Sequence, residues 1–132
     1  MIDEVESIKH LSLVEVERAF SGLRITVTTN QRAFWRVAVL QSLATRRNQN
    51  HQLAMHYAPP NASRQSIIEG VGRGVGRVAV HEFMHQILGA WAAHNNGDLN
   101  SYEYGSPGRR SQYYGELHWT TARALLDRRL RE

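Results

Sequence analysis

A histidine–glutamate motif is the feature of this sequence that most directly suggests chemistry. The segment His81-Glu82-Phe83-Met84-His85 has the form HExxH, with two imidazoles four residues apart. On an α-helix such side chains project from one face, so both rings can reach one ion. Histidine nitrogens are common zinc ligands, and an adjacent carboxylate can act as a general base. The motif predicts one zinc ion held by His81 and His85, with Glu82 as the base.

The same motif also occurs in helices that bind no metal, where two histidines on an apolar face are ordinary core residues. Here the motif continues a run in which apolar residues recur at three- and four-residue steps, so its histidines and glutamate fall on the core-facing stripe. Burying an unpaired polar group costs about 1–3 kcal/mol. Further polar residues that could bind a metal follow within about twenty positions. These features favour the metal site over the core interpretation.

A third protein ligand is expected downstream of the motif. Gly89 can end the helix, and the four residues after it allow the chain to curve back, so His94 is the preferred third ligand. Asp98 and Glu103 lie in the same turn-rich region and are the alternative metal ligands.

The elements around the motif are predicted from periodicity and from capping residues. A long helix is predicted over 64–88, with Asn61 or Ser63 as its N-cap and Gly89 as its end. Four interior glycines weaken the first half of this helix by about 1 kcal/mol each, but their spacing would let another backbone approach closely. Further helices are predicted over 13–21, where Ser12 and Glu15 form a capping box, and over 119–131.

The strands are predicted from alternation and from β-branched content. Residues 24–29 alternate, residues 33–43 fit a strand slightly better than a helix, and residues 52–58 end at Pro59-Pro60. The tyrosine-rich stretch 94–115 reads as a long loop, which is usually functional in so small a domain. We therefore predict a single α+β domain over 1–132: a small twisted sheet of three or four strands, the active-site helix packed on it, and helices at both ends.

The segment RVAVHEFMHQILGAWAAH resembles the active-site helix and following turn of metzincin-like zincin metallopeptidases. They share the HExxH motif, a glycine that ends the helix, and a third histidine. The resemblance covers about twenty residues and departs from the metzincin pattern in the turn. The metzincin histidine lies where this chain has Trp91, whereas His94 lies three residues later, and no methionine follows Met84 to form a Met-turn.

The resemblance implies a hydrolase that cleaves peptide or protein substrates by Glu-assisted attack of a zinc-bound water. It also implies that the phenol of Tyr102 or Tyr104 could be a fourth ligand or stabilise an oxyanion, and that residues 52–58 form a strand that pairs with substrate. The alternative function is a catalytically silent zincin-like module that binds zinc or has a regulatory role.

The amino-acid composition argues against several other classes of function. The 132 residues include no cysteine, which excludes disulfides, cysteine-ligated zinc and thiol catalysis. The net charge is +4 and Lys9 is the only lysine, but the arginines are scattered and no nucleic-acid motif accompanies them, which argues against a nucleic-acid surface. The N-terminus lacks the pattern of a secretory signal and no apolar run could span a membrane, so a cytoplasmic protein is expected.

Overall fold

The computed structural model describes residues 2–37 and 49–132. In these ranges the regular elements are helices: α1 (Ile2–Ala19), α2 (residues 49–56), α3 (Arg64–Leu88), a 3₁₀ turn (Gly89–Trp91), α4 (Ser111–Tyr114) and α5 (Thr121–Arg131). An isolated parallel bridge between Ser101 and His118 is the only β-type pairing of the described residues. The predicted α+β fold with a twisted sheet is therefore wrong, and the described chain is all-helical.

The predicted strand at 24–29 is wrong, because these residues form no regular element and pair with no strand of the described chain. Ile25 and Val27 are half-buried against the core while their neighbours are exposed, so the alternation was read correctly. Residues 33–37 form no strand either. The backbone of Arg36 bonds to a side chain instead of a neighbouring strand: its N–H donates to Gln86 Oε1 at 3.0 Å, and Gln86 Nε2 donates to its carbonyl at 2.6 Å. Residues 38–43 of that prediction lie outside the described residues.

The third predicted strand, 52–58, is also wrong. Residues 49–56 form α2, and residue 57 begins a turn before the two prolines. Burial follows helical spacing, since Asn50 and Ala54 are buried while Leu53 and Tyr57 are half-buried. Because this segment is helical, it provides no strand edge for a substrate.

The first helix is longer than the predicted 13–21, because Ser12 and Glu15 do not form its N-cap. Both residues are buried in the middle of α1 and face α3. The Ser12 hydroxyl oxygen lies 2.7 Å from the carbonyl oxygen of Ile8 and 3.1 Å from that of Gly72. The Glu15 carboxylate pairs with Arg77 at 3.3 Å. Polar residues that resemble a capping box thus join two helices.

The predicted long helix over 64–88 is confirmed with its bounds as α3. Ser63 is its N-cap, and its hydroxyl accepts a hydrogen bond from the Ser66 N–H at 3.1 Å. The interior glycines mark close contacts: a Cβ on Gly76 would lie 2.8 Å from the Ser12 carbonyl oxygen, and one on Gly74 would lie 2.2 Å from the Tyr113 ring. α1 and α4 therefore pack directly against the α3 backbone.

The main core lies where the second half of α3 meets α1 and α5. Met84 and Leu126 are both fully buried there, with Phe20 and Ile87 around them. The last helix, predicted over 119–131, is observed at Thr121–Arg131. None of the described helices is long and apolar enough to cross a membrane.

Candidate metal centre

Three histidines converge at the C-terminal end of α3. The Nε2 atoms of His81 and His85 are 3.0 Å apart, and the Nε2 atom of His94 lies 3.1 Å from the first and 3.2 Å from the second. Tetrahedral zinc with Zn–N bonds of about 2.0–2.1 Å requires N···N separations of roughly 3.3–3.4 Å. The three nitrogens are a few tenths of an ångström closer than this, so they lie close enough together to hold a metal ion.

His81 is oriented by a backbone carbonyl. Its Nδ1 atom lies 2.8 Å from the carbonyl oxygen of Tyr102, which can only accept, so Nδ1 carries the proton. A neutral His81 then presents the lone pair of Nε2 to the other two rings. The pKa of His81 is lowered, mainly by burial and further by the neighbouring His85 and His94. Burial and this hydrogen bond thus favour the tautomer that binds a metal.

The three rings cannot satisfy one another by hydrogen bonding alone. Each Nε2 atom has either one N–H or one lone pair in the ring plane, directed at the same small region. Because Nε2 of His81 can only accept in this tautomer, hydrogen bonds cannot account for all three N···N contacts. A cation between the rings would accept all three lone pairs, which is why this donor set fits a metal.

The turn after α3 returns the third histidine to the other two. Gly89 ends the helix at a φ of 56°, where its N–H donates to the His85 carbonyl, and the 3₁₀ turn follows directly. The N–H of Asn95, next to His94, donates to the Glu103 carbonyl at 2.9 Å. A Cβ on Gly105 would lie 2.8 Å from His94 Nδ1, so only glycine allows this close approach.

The predicted base lies beside the histidines. Glu82 is exposed and lines a cleft of about 390 Å³ together with His81, His85 and His94. Among the described residues, its carboxylate has no hydrogen-bond or ion-pair partner. It is therefore available to a ligand that enters the cleft.

The two tyrosines named from the sequence differ in position. Tyr104 is half-buried and lines the cleft, with the Arg109 guanidinium 4.8 Å from its ring centroid. Tyr102 also borders the cleft, but it is buried, its ring lies 4.8 Å from that of Trp119, and burial raises the pKa of its phenol. Tyr102 contacts the histidine cluster through its backbone carbonyl.

The alternative metal ligands are used elsewhere. Asp98 contacts His118 Nε2 at 2.7 Å and accepts the Asn100 N–H at 2.9 Å, and these two contacts lower the pKa of its carboxyl. Glu103 is buried, and its carboxylate accepts the N–H groups of Thr120 and Ala122 at 2.6 and 2.7 Å. Neither residue joins the histidine cluster.

Two roles in the loop were missed from the sequence. Glu103 acts as a remote N-cap for α5, because the helix's own N-cap residue, Thr120, makes no side-chain capping hydrogen bond and the first turn has no acidic residue. No local sequence signal marks this role, because Thr120 is itself a residue type that commonly caps helices. Arg109 is buried and donates to the carbonyls of Leu99, Ser101 and Ser106, which holds the loop closed. Burial lowers the pKa of Arg109 to about 10, so it is still charged at neutral pH.

No protein-family model matches this chain, and neither a curated protein nor a solved structure shows significant similarity to it. The evidence for a metal centre is therefore the geometry of the three histidines. The resemblance to metallopeptidases stays a prediction that rests on the motif segment.

Proposed function

We propose that this protein is a zinc-dependent hydrolase of peptide bonds. In this proposal His81, His85 and His94 hold the ion and Glu82 is the catalytic base. The observation that carries it is the convergence of the three Nε2 atoms on the wall of a cleft that Glu82 also lines. The base and the ligands thus face the same space.

The number and type of ligands favour catalysis by zinc. Structural zinc sites are closed by four protein ligands, whereas catalytic sites have three and an open position. Among the described histidines and carboxylates, three residues form the cluster. Three imidazoles suit zinc and neighbouring transition metals better than magnesium or calcium, which prefer oxygen ligands. When bound, zinc would act as a Lewis acid and lower the pKa of a bound water to about 7.

The protein's own groups would then move protons and stabilise charge. Glu82 is unpaired and exposed to the cleft, so it can take a proton from the attacking water and pass it to the leaving amine. The phenol of Tyr104 lines the same cleft and can donate to the oxyanion that forms on the substrate carbonyl. The Tyr102 carbonyl holds His81 in its ligand tautomer throughout.

The test compares zinc-loaded wild type with Glu82→Gln on a quenched random peptide library. We expect one zinc per chain in both proteins and a fall in kcat/KM of about 10²–10⁴-fold in the variant, because its amide cannot accept the proton. Glu17→Gln is the matched control, since Glu17 is an exposed glutamate on α1. It should retain wild-type activity.

The outcomes separate the two functions considered. Equal activity in wild type and Glu82→Gln would contradict the proposed mechanism. A wild type that binds one zinc per chain but cleaves no member of the library would instead support the silent zinc-binding module.

A further inference from the structure

Residues 101–105, which we call the bracing segment, contact both sides of the histidine cluster. The Tyr102 carbonyl oxygen is 2.8 Å from His81 Nδ1. The Glu103 carbonyl accepts the N–H of Asn95, the residue after His94, at 2.9 Å. Gly105 lies against the Nδ1 edge of His94. One short stretch of backbone thus fixes the ring of His81 on α3 and the position of His94 in the loop.

The bracing segment is itself held by the side chain of Glu103. Glu103 is 2% exposed as a residue, and its carboxylate has no cationic partner among the described residues. Its two oxygens accept the Thr120 and Ala122 N–H groups at the start of α5, at 2.6 and 2.7 Å, and Ser101 Oγ lies 3.1 Å away. Short hydrogen bonds to an ionised carboxylate at a helix N-terminus are among the stronger ones in proteins.

We propose that Glu103 is a positioning residue of the metal centre. It anchors the bracing segment to α5, and through that segment it sets the ring of His81 and the approach of His94. The inference rests on the metal site of the proposed function and adds a residue that acts on the ligands without touching the ion.

The geometry explains why a carboxylate is needed at this position. Each oxygen accepts a separate backbone N–H, and both N–H groups are fixed by the first turn of α5. The amide of glutamine keeps one acceptor but turns an NH₂ group towards the other N–H. The side chain must then move, and the backbone of Tyr102 to Gly105 moves with it. Partners that orient metal-ligating histidines typically change metal affinity about 10–100-fold when they are mutated.

The experiment measures Co²⁺ affinity of the full chain by competition with a chelator, well below the melting temperature of every variant. We expect Glu103→Gln to bind Co²⁺ about 10–100-fold more weakly than wild type and to shift the visible absorption bands, because the ligand geometry changes. Leu126→Val is the matched control. Leu126 is a fully buried residue on α5, so this variant lowers the melting temperature without altering the carboxylate contacts.

A second readout uses the metal-free protein. The hydrogen-bonded Nδ1 proton of His81 should be visible by NMR in wild type and in Leu126→Val, and shifted or lost in Glu103→Gln. A Co²⁺ affinity within twofold of wild type in Glu103→Gln would overturn the proposal, as would an equal loss of affinity in Leu126→Val. These results would leave the hydrolase proposal standing. A wild type that binds neither Co²⁺ nor Zn²⁺ would overturn both.

Discussion

At the scale of single residues, His81 is the candidate ligand whose orientation the structure fixes most completely. Its Nδ1 proton is committed to the Tyr102 carbonyl, and burial lowers its pKa. The motif predicted its partnership with His85, since helical spacing alone places both rings on one face. The sequence also named His94 as third ligand, because the turn at Gly89 is short. It could not distinguish Glu103 as a helix cap from Glu103 as a ligand, because the helix N–H groups that its carboxylate accepts lie 17 and 19 residues further along the chain.

The lowered pKa of His81 makes the stability of the metal-free protein depend on pH. An unfolded histidine has a pKa of about 6.5, so the unfolded state gains the proton first as pH falls. Neutral His81 therefore contributes to the free energy of unfolding in full above about pH 6.5. This contribution is lost as the pH falls through 6.5 towards the lower pKa of His81 in the folded state. We expect the urea unfolding free energy to fall between pH 7 and pH 5, and to fall less in His81→Asn.

Asparagine is the informative substitution there, because its side-chain N–H₂ can still donate to the Tyr102 carbonyl while the titrating group is gone. Its unfolding free energy at pH 7 and pH 5 isolates the contribution of His81. Identical pH slopes in the two proteins would show that His81 is not the titrating group.

At the scale of elements, periodicity predicted helices well and sheets badly. The helix over 64–88 was found because its signals are local, and of the two predicted caps, Asn61 and Ser63, the structure has Ser63. The strand at 52–58 failed because its Leu, Ala and Met residues are good helix formers, and burial at four-residue spacing outweighs a short apolar run. The alternation at 24–29 was real, but alternation does not determine whether a neighbouring strand exists. Whether a strand has a neighbour depends on how the rest of the chain packs.

Gly76 tests the packing between α1 and α3. In an exposed helix Gly→Ala would stabilise by about 1 kcal/mol. Here the added Cβ would lie 2.8 Å from both the Ser12 carbonyl oxygen and Glu15 Cβ, so the helices must separate. We expect Gly76→Ala to destabilise the protein by about 1–3 kcal/mol, measured by urea unfolding.

The control for this substitution is Gly97→Ala. A Cβ there would meet its nearest atom, Asn95 Oδ1, at 3.4 Å, and the φ of Gly97 is not positive. Its free energy of unfolding should stay within about 0.5 kcal/mol of wild type. A Gly76→Ala protein more stable than wild type would show that α1 and α3 do not pack this closely.

At the scale of the whole molecule, the histidine cluster joins α3 to the long loop that follows it. His81 and His85 lie on the helix, whereas His94 belongs to the chain that returns through the bracing segment to α5. Arg77, one turn before His81, pairs with Glu15 on α1 and donates to the carbonyls of Ser111 and Gln112 in α4. The histidine cluster therefore joins α3 to the loop, and its cleft is also lined by Arg77 and by Gln112 of α4. An ion bound there should stabilise the packing of the loop against α3.

Zinc should raise the melting temperature through this linkage. A ligand that binds only the folded state at 100 times its Kd stabilises that state by about 2.7 kcal/mol, which for a chain of this size corresponds to roughly 10 °C. We expect that rise in wild type, measured by differential scanning calorimetry with and without zinc.

His94 is exposed, so His94→Ala should melt close to wild type without zinc but lose most of the rise with it. His118→Ala is the control, because His118 is an exposed histidine that contacts Asp98 outside the cluster, and it should keep the full zinc response. A full response in His94→Ala would place the third ligand on another residue and contradict the convergence on which the metal centre depends.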